Sequence, residues 1–440
     1  MIVFFYLIAF ALIVLDYAKN RRLSSPVFIY TQLWIFIVTL ASMGLYSFSG
    51  YSEEVLIIVI VGTLCFGIGN FNSLKVSACS KRNLTGIDST TNGKHMNIIL
   101  ALTTIGTIFS IYYTSRAFFN GATYLEIRGS LLNYNDDQII GNRAVSAFIT
   151  YFCGPAETVL LPLAIMFSLK KEHKTFRRIV YFDALCGGLA SGGRITFLYA
   201  IIQFIVAAGY YHKKVSKKTK KRILRLTLVL LVIIVILTNL RSRLGIWFQI
   251  YSYFSLPMGL LTHYVDILKH TDFNSYGAST FYPLFYVANS ITSFMGVPID
   301  FLNDLVYYVG LPQKQWVRIF PQTVNNAFCS LYYFFYMDFR IPGVIIFTYL
   351  YGFVTGIIYN MTFKKHNELG LLLYLMIVRT LFSSFIIWQL GNTKFFVSTL
   401  ILIWGCRMDK TRIKNKAMPS SEGGGVISNP LFSFSFEVAA

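Results

Sequence analysis

Long apolar runs recur along this chain, and short basic segments separate them. Of all residues, 55% are hydrophobic and 13% are charged. A soluble domain rarely has this balance, whereas a transmembrane helix needs about 20 predominantly apolar residues. The sequence therefore predicts an all-α polytopic membrane protein.

The apolar runs predict about eleven transmembrane helices. They cover 2–18, 27–48, 55–71, 96–118, 145–169, 179–191, 195–211, 223–240, 342–362, 369–388 and 395–409. We expect residues 1–416 to form a single polytopic domain. The composition changes abruptly at 417–440, which we interpret as a disordered or expression-derived tail.

The formal net charge of +20 first suggests a nucleic-acid binder. The basic residues, however, cluster between the apolar runs, which is the pattern of cytoplasmic loops in membrane proteins. Examples are "KKEHKTFRR" (170–178) and "KKVSKKTKKRILR" (213–225). Placing these segments in the cytoplasm predicts an outside N-terminus and a cytoplasmic C-terminus, and removes nucleic acid as an expected partner.

The stretch "GGLASGGRITF" (187–197) lies between those two basic segments. The chain must cross twice between them, so we expect a tight helical hairpin with its glycines in the turn. Arg194 then begins the second helix at the outer end, after a potential cap at Ser191. An anion at that helix start would explain the arginine. The alternative is that Arg194 extends to the lipid headgroups.

Most basic residues on the predicted outer face are arginines, whose planar fork suits phosphate or carboxylate ligands. Arg241 and Arg243 follow the predicted span 223–240 and, together with Arg194, would suit one polyanionic headgroup. The pair would equally serve as a membrane anchor for that helix. Further outer arginines expected to contact substrate are Arg116, Arg128, Arg143 and Arg318.

A long outer segment, 241–341, is rich in tyrosine and phenylalanine. We expect helices lying at the outer interface over a cavity, although a re-entrant pair is an alternative. Two further crossings, which would raise the total to twelve or thirteen spans, would also fit.

The end of this segment, "NNAFCSLYYFFYMDFRIPG" (325–343), carries candidate catalytic and sugar-binding residues. On a helix, Phe328, Tyr332 and Tyr336 would share one aromatic face, which suits sugar rings but also a membrane-interface belt. Asp338 is the candidate general base, unless it pairs with Arg340. His263 is a rival base with weaker sequence context.

The six cysteines are scattered without the paired spacing of a metal site or a disulfide framework. We therefore expect no metal and no cofactor.

These features together resemble the O-antigen polymerase family, the Wzy-type oligosaccharide repeat-unit polymerases of bacterial inner membranes. The family's closing motif runs Asn-x-x-Thr, a tyrosine-rich stretch and Asp-Phe-Gly-x-x-Gly. The matching positions are Asn326, Tyr332, Tyr336, Asp338, Phe339 and Gly343. Cys329 replaces the usual threonine, and Arg340 replaces the usual glycine.

The resemblance implies transfer of a glycan from undecaprenyl diphosphate to an incoming lipid-linked repeat unit on the periplasmic face. It implies membrane lipids and a chain-length regulator as partners. Arg194 and Arg241 would stabilise the departing diphosphate, and Asp338 would accept the proton of the acceptor hydroxyl. Arg243 and the other outer arginines, Asn326 and the two tyrosines would bind substrate.

Two other functions fit the same composition. An O-antigen ligase uses the same donor and differs in its acceptor, which the sequence does not reveal. A lipid-linked oligosaccharide flippase usually has shorter loops and charged residues along a central cavity. A polyprenyl-phosphate-sugar glycosyltransferase fits less well, because the first outer loop (48–54) is too short for its acidic site.

Overall fold

The computed structural model describes residues 1–77, 93–123, 126–127, 142–190, 193–211, 217–241 and 244–405. The first part of the chain forms α1 (Ile2–Asn20), α2 (Pro26–Ser42), α3 (Glu53–Ser77), α4 (Gly93–Phe119), α5 (Arg143–Phe148) and α6 (Gly154–Lys170). A π-helical turn, Ile149–Cys153, joins α5 to α6. Next come α7 (Lys174–Ala190), α8 (Arg194–Tyr210) and α9 (Lys217–Arg241).

The remaining elements are α10 (Ile246–Lys269), α11 (Tyr282–Phe294), α12 (Asp300–Lys314), α13 (Ser330–Phe363), α14 (Glu368–Phe382) and α15 (Thr393–Gly405). Two short antiparallel strands, β1 (Val317–Phe320) and β2 (Thr323–Asn325), lie between α12 and α13.

Each predicted span overlaps one of these helices. Within the described ranges, five helices are long and apolar enough to cross a membrane: Ile2–Asn20, Glu53–Ser73, Gly93–Phe119, Ala144–Lys170 and Ser330–Phe363. Four shorter apolar helices accompany them: Pro26–Ser42, Arg194–Tyr210, Leu224–Thr238 and Thr393–Gly405. The fold is that of an all-α membrane protein, whereas the number of crossings stays a prediction.

Two hydrophobic clusters organise the bundle. The first contains buried residues of α1, α2, α3 and α10 with the start of α13, and includes Tyr30 and Trp34. The second joins α4, α6, α7, α8, α14 and α15. Both clusters contain residues of α13 and α14, which therefore hold the two parts of the molecule together.

Described residues of three predicted cytoplasmic segments meet at one end of the bundle, which we call the basic end. Lys170 Nζ lies 2.9 Å from Glu368 Oε2, and Tyr211 OH donates to Glu368 Oε1 over 3.2 Å. The Arg22 guanidinium lies 4.8 Å from the Phe363 ring centre. The clustering agrees with the predicted topology, and the side of the membrane on which this end lies stays a prediction.

The hairpin prediction needs a correction in its details. Gly187 and Gly188 belong to α7 rather than to the turn. A Cβ on Gly188 would lie 2.7 Å from the Phe197 ring, so this glycine permits close packing of α7 against α8. The residue before α8 is Gly193, whose backbone N–H donates to the Gly188 carbonyl over 3.0 Å. Ser191 and Gly192 lie outside the described residues.

A sharp break divides α13. Arg340 has φ 58° and ψ −137°, a conformation that favours glycine, and Phe339 is also non-helical. The first half (330–338) is entirely buried, and the second half begins near the predicted span 342–362. A Cβ on Gly343 would lie 2.1 Å from the Phe335 carbonyl oxygen, so only glycine fits this contact between the halves.

The predicted outer segment contains α10, α11, α12 and the strand pair. The α10 helix contacts the α2–α3 connection, because Tyr251 OH accepts from Leu45 N (2.9 Å) and Thr262 Oγ1 accepts from Ser52 N (3.1 Å). The α11 helix exposes Leu284, Val287, Ile291 and Phe294. Exposed apolar side chains on an amphipathic helix are typical of an interfacial position, which stays a prediction here.

Candidate functional site

Arg194 is the first residue of α8 and contacts two neighbouring helices. Its Nη1 donates to Thr238 Oγ1 over 2.8 Å and to Gln249 Oε1 over 3.2 Å. Thr238 lies one turn before Arg241 on α9, and residues three apart on a helix have Cβ atoms about 5–6 Å apart. The structure therefore brings Arg194 next to the end of α9 that carries Arg241.

The other predicted arginines are less informative. The backbones of Arg143 and Arg241 are described as the first residue of α5 and the last residue of α9, but their side chains are not. Arg128 and Arg243 lie outside the described residues. Arg116, in the last turn of α4, and Arg318, on β1, are both exposed.

Asp338 lies at the end of the buried half of α13 and is 0% exposed. A loop of residues 275–280, which we call the carboxylate loop, surrounds it. Oδ1 accepts from Ser275 Oγ (2.6 Å), Gly277 N (3.0 Å) and Ser279 N (3.0 Å). Oδ2 accepts from Thr280 N (3.2 Å) and Thr280 Oγ1 (2.5 Å).

Five donors therefore occupy the acceptor positions of this carboxylate. A general base must reach the proton of a substrate hydroxyl, and Asp338 has no exposed surface for such a contact in this conformation. The geometry favours a role in fixing the carboxylate loop over the predicted role of general base. The alternative prediction of a pair with Arg340 also differs from the structure.

Arg340 faces the α10–α11 connection instead. Its Nη2 donates to the carbonyl oxygens of Thr271 (3.0 Å) and Phe273 (3.2 Å). Its guanidinium carbon lies 5.5 Å from the ring centre of Tyr336. Among the described residues, Nη1 is buried and has no hydrogen-bond partner. Glycine, the usual residue at this position of the family motif, would adopt the positive φ of Arg340 without strain. Arginine instead adds the hydrogen bonds to the α10–α11 connection.

The two predicted sugar-binding tyrosines pack inside the protein. Tyr332 is 0% exposed, accepts a hydrogen bond from Tyr30 OH over 2.8 Å and contacts the Trp34 ring. Tyr336 is 4% exposed, and its hydroxyl donates to Glu54 Oε1 over 3.2 Å. The aromatic face therefore contacts α2 and α3, and leaves no room for a sugar ring in this conformation. Phe328 precedes the helix and does not extend the face.

Asn326 and His263 have different surroundings. Asn326 Nδ2 donates to the Gln313 carbonyl over 2.7 Å, which joins the start of α13 to the end of α12. His263 is half-buried on α10. Its Nε2 is buried without a hydrogen-bond partner in the described part of the chain.

The structure also shows a charged cluster that the sequence did not predict as a site. Arg379 on α14 donates through Nη1 to Thr158 Oγ1 over 2.9 Å, and its guanidinium carbon lies 4.6 Å from the Tyr199 ring centre. Glu157 on α6 interacts electrostatically with Arg379 and with Lys394, at the start of α15. Tyr199 belongs to α8, so these four side chains come from four different helices. We call the three charged residues, Glu157, Arg379 and Lys394, the four-helix cluster.

One sequence signal pointed to this cluster: Arg379 lies near the middle of a predicted span (369–388), whereas the other basic residues inside predicted spans lie near span ends. Ionisable residues at membrane depth are costly and usually functional. The partners of Arg379 lie more than two hundred residues away on α6 and fifteen residues away on α15, so no local motif joins them. In the described ranges, no group of three or more His, Cys, Asp or Glu side chains is arranged to hold a metal ion.

Comparison with known proteins gives no relative. No protein-family model, no curated protein and no solved structure matches this chain.

Proposed function

We propose that this protein polymerises undecaprenyl-diphosphate-linked oligosaccharide repeat units at the periplasmic face of a bacterial inner membrane. The observation that carries the proposal is the position of Arg194. Its side chain lies against the end of α9 that bears Arg241, at the start of a helix whose other end, at Tyr210, lies near the basic end. Two arginines on neighbouring helix ends suit a diphosphate.

The proposed reaction transfers the growing glycan as a block. The acceptor hydroxyl attacks the anomeric carbon, the bond between that carbon and the lipid diphosphate breaks, and the hydroxyl proton passes to water at the membrane surface. The electron pair leaves with the diphosphate, whose developing negative charge the guanidinium groups stabilise. Fixed donors in a site of low dielectric constant are effective, because they need no reorganisation during the reaction.

The same proposal includes the predicted orientation and partners. The N-terminus is periplasmic and the C-terminus is cytoplasmic, so that the basic end contacts the cytoplasmic leaflet. Besides the lipid-linked glycan and membrane lipids, a chain-length regulator is the expected protein partner. Asp338 holds the carboxylate loop and has no catalytic role in this proposal.

Gene deletion with complementation tests the polymerase reaction. The deletion strain is complemented with the wild-type chain, Arg194→Lys or Arg225→Lys, and its surface glycan is separated on a gel. We expect single repeat units without the gene, long chains with the wild type and shortened chains with Arg194→Lys, because lysine keeps the charge and loses the fork.

Arg225→Lys is the matched control, because Arg225 is exposed near the opposite end of α9. It should restore full chain length. Glycan of wild-type length with Arg194→Lys would contradict the proposed role of this arginine. Complete loss of repeats from the lipid A core in the deletion strain would indicate a ligase instead.

A flippase is a second candidate, because charged groups lie inside the bundle. Asp183 of α7 is 3% exposed, accepts from Thr104 Oγ1 over 2.7 Å, and interacts with Glu157. Charged residues lining the interior are expected of a carrier. Accumulation of full repeat units on the cytoplasmic side in the deletion strain would favour this function over polymerisation.

A further inference from the structure

The four-helix cluster lies at the same end of the bundle as Arg194. Lys170 and Glu368 join α6 and α14 at the basic end, and Thr158 and Arg379 join the same two helices away from it. Ser398 of α15 donates to the Pro155 carbonyl over 3.0 Å, which places the start of α15 beside the start of α6. The starts of α6, α8 and α15 and the end of α14 therefore meet.

The cluster lies within membrane depth. Arg379 follows Glu368 by eleven residues, which at 1.5 Å per residue is about 16 Å from the basic end. The hydrocarbon core of a bilayer is about 30 Å thick. A positive charge at this depth costs several kcal/mol unless a counter-charge or polar partners offset that cost.

The two cations of the cluster have little compensation. The partners of Arg379 are a neutral hydroxyl and an aromatic ring. Arg379 and Lys394 lie close enough for mutual repulsion. Among the described residues, neither has a carboxylate oxygen within 4.0 Å, and Glu157 acts on both only over a longer distance. Glu157 supplies one negative charge against two positive charges, so the cluster keeps a net positive charge that suits a further anion.

The cluster is partly exposed at the protein surface. Lys394 is exposed, and Arg379 and Glu157 are half-buried. Glu157 has no hydrogen bond among the described residues, in contrast to the saturated carboxylate of Asp338. The cluster therefore has a fork and an ammonium group for an anion, with a carboxylate beside them that is free to accept hydrogen bonds from hydroxyls.

We propose that Arg379 and Lys394 bind a diphosphate group, and that this group belongs to a second lipid-linked substrate. The second part rests on the proposed function, because joining two lipid-linked glycans requires two diphosphates to be bound at once. Tyr199, beneath Arg379, follows Arg194 by five residues on α8. That spacing is about 7.5 Å along the helix and about 140° around it, so the two cationic sites lie on different faces of α8.

Binding to the purified full chain in nanodiscs tests this site. Undecaprenyl diphosphate and inorganic pyrophosphate are titrated separately onto the wild type, Arg379→Gln/Lys394→Gln, Glu157→Gln and the control Arg225→Gln. We expect two lipid diphosphates per wild-type chain and one in the double variant. Affinity at the lost site should fall by about tenfold or more, because each charge-assisted hydrogen bond contributes about 1.5–3 kcal/mol.

Glu157→Gln gives the sharpest test, because it removes a negative charge beside the proposed anion. We expect it to tighten diphosphate binding, whereas a purely structural carboxylate would leave binding unchanged or weaken it. Undiminished binding of both lipids by the double variant would overturn the proposal. If this site binds inorganic pyrophosphate but does not bind undecaprenyl diphosphate, the assignment to a lipid substrate is overturned.

The outcome is separable from that of the proposed function. If the wild type binds two lipid diphosphates but the deletion strain still makes long glycan, the proposed polymerase reaction is contradicted and the proposed diphosphate site is supported. If the deletion strain makes single repeat units while the double variant still binds both lipids, the proposed second site is contradicted and the proposed reaction is supported.

If the double variant misfolds, Arg379→Lys replaces it as the test. This variant keeps the positive charge and should still bind two lipids, and loss of one lipid would overturn the role of charge.

Discussion

Asp338 and the four-helix cluster show opposite ways of placing charge inside the same bundle. The Asp338 carboxylate is fully buried and accepts five hydrogen bonds from the carboxylate loop. Arg379 and Lys394 are partly accessible, and no carboxylate among the described residues lies within 4.0 Å of either. The first charge is satisfied by the protein itself, and the other two are not.

This difference distinguishes charged groups that stabilise the fold from charged groups that can bind a ligand. A buried charge that is fully hydrogen-bonded holds its surroundings in place, and its removal leaves several donors without partners. Charges that lack compensation are costly in the folded protein and become favourable when a ligand of opposite charge binds. We therefore assign Asp338 to the framework and the cations to ligand binding.

The largest expected effect is that of Asp338→Asn. The amide group would face donors that now bond to a carboxylate oxygen, so we expect a loss of roughly 3–5 kcal/mol in the free energy of unfolding. Thermal unfolding of the purified protein in detergent measures it. Asp272→Asn, at an exposed position just before the carboxylate loop, is the control and should change little. A stable Asp338→Asn protein that has lost only activity would restore Asp338 as the general base.

A smaller effect is expected for Thr280→Val. Valine keeps the shape and removes the hydroxyl that donates to Asp338 Oδ2 over 2.5 Å. Loss of one hydrogen bond to a charged group should destabilise the protein by about 1.5–3 kcal/mol. The same unfolding measurement applies. An unchanged unfolding midpoint would mean that the carboxylate loop does not depend on these contacts.

The smallest effect on stability is expected for Arg379→Gln without ligand. The substitution loses one hydrogen bond and one ring contact, but also removes a poorly compensated cation from membrane depth. The two lost contacts together contribute about 2–4 kcal/mol, and removal of the cation regains about 2.5–3.5 kcal/mol, so the unfolding midpoint should stay nearly constant. A loss as large as that of Asp338→Asn would show that Arg379 belongs to the framework.

Hydrophobic length predicted most of the helices, because a membrane requires each spanning segment to satisfy its own backbone hydrogen bonds. The same reasoning failed at segment ends. The helix in the span predicted at 369–388 ends at Phe382, and the chain from 383 to 392 is irregular, with half of its residues buried. The aromatic spacing of Tyr332 and Tyr336 predicted one shared face, but spacing does not specify whether that face meets a ligand or α2 and α3.

The candidate site also has one part that the sequence predicted and one part that only the packing of the helices set. The position of Arg194 at the start of a helix follows from two basic segments and the short distance between them, which is local information. Its contacts with Thr238 and Gln249 depend on how α8, α9 and α10 pack. The grouping of Glu157, Arg379 and Lys394 depends on four helices from distant parts of the chain, and no motif in the sequence joins them.

The sequence by itself determined that this chain is a helical membrane protein and predicted that its basic segments lie on one side, because composition and charge act locally on each segment. Only the tertiary structure decided which charged groups have partners. Five donors from one loop surround Asp338, while two cations from separate helices share the longer-range influence of Glu157, with no carboxylate among the described residues within 4.0 Å of either. Such compensation depends on distances of a few ångströms between residues far apart in the chain, which only the packing of the helices sets.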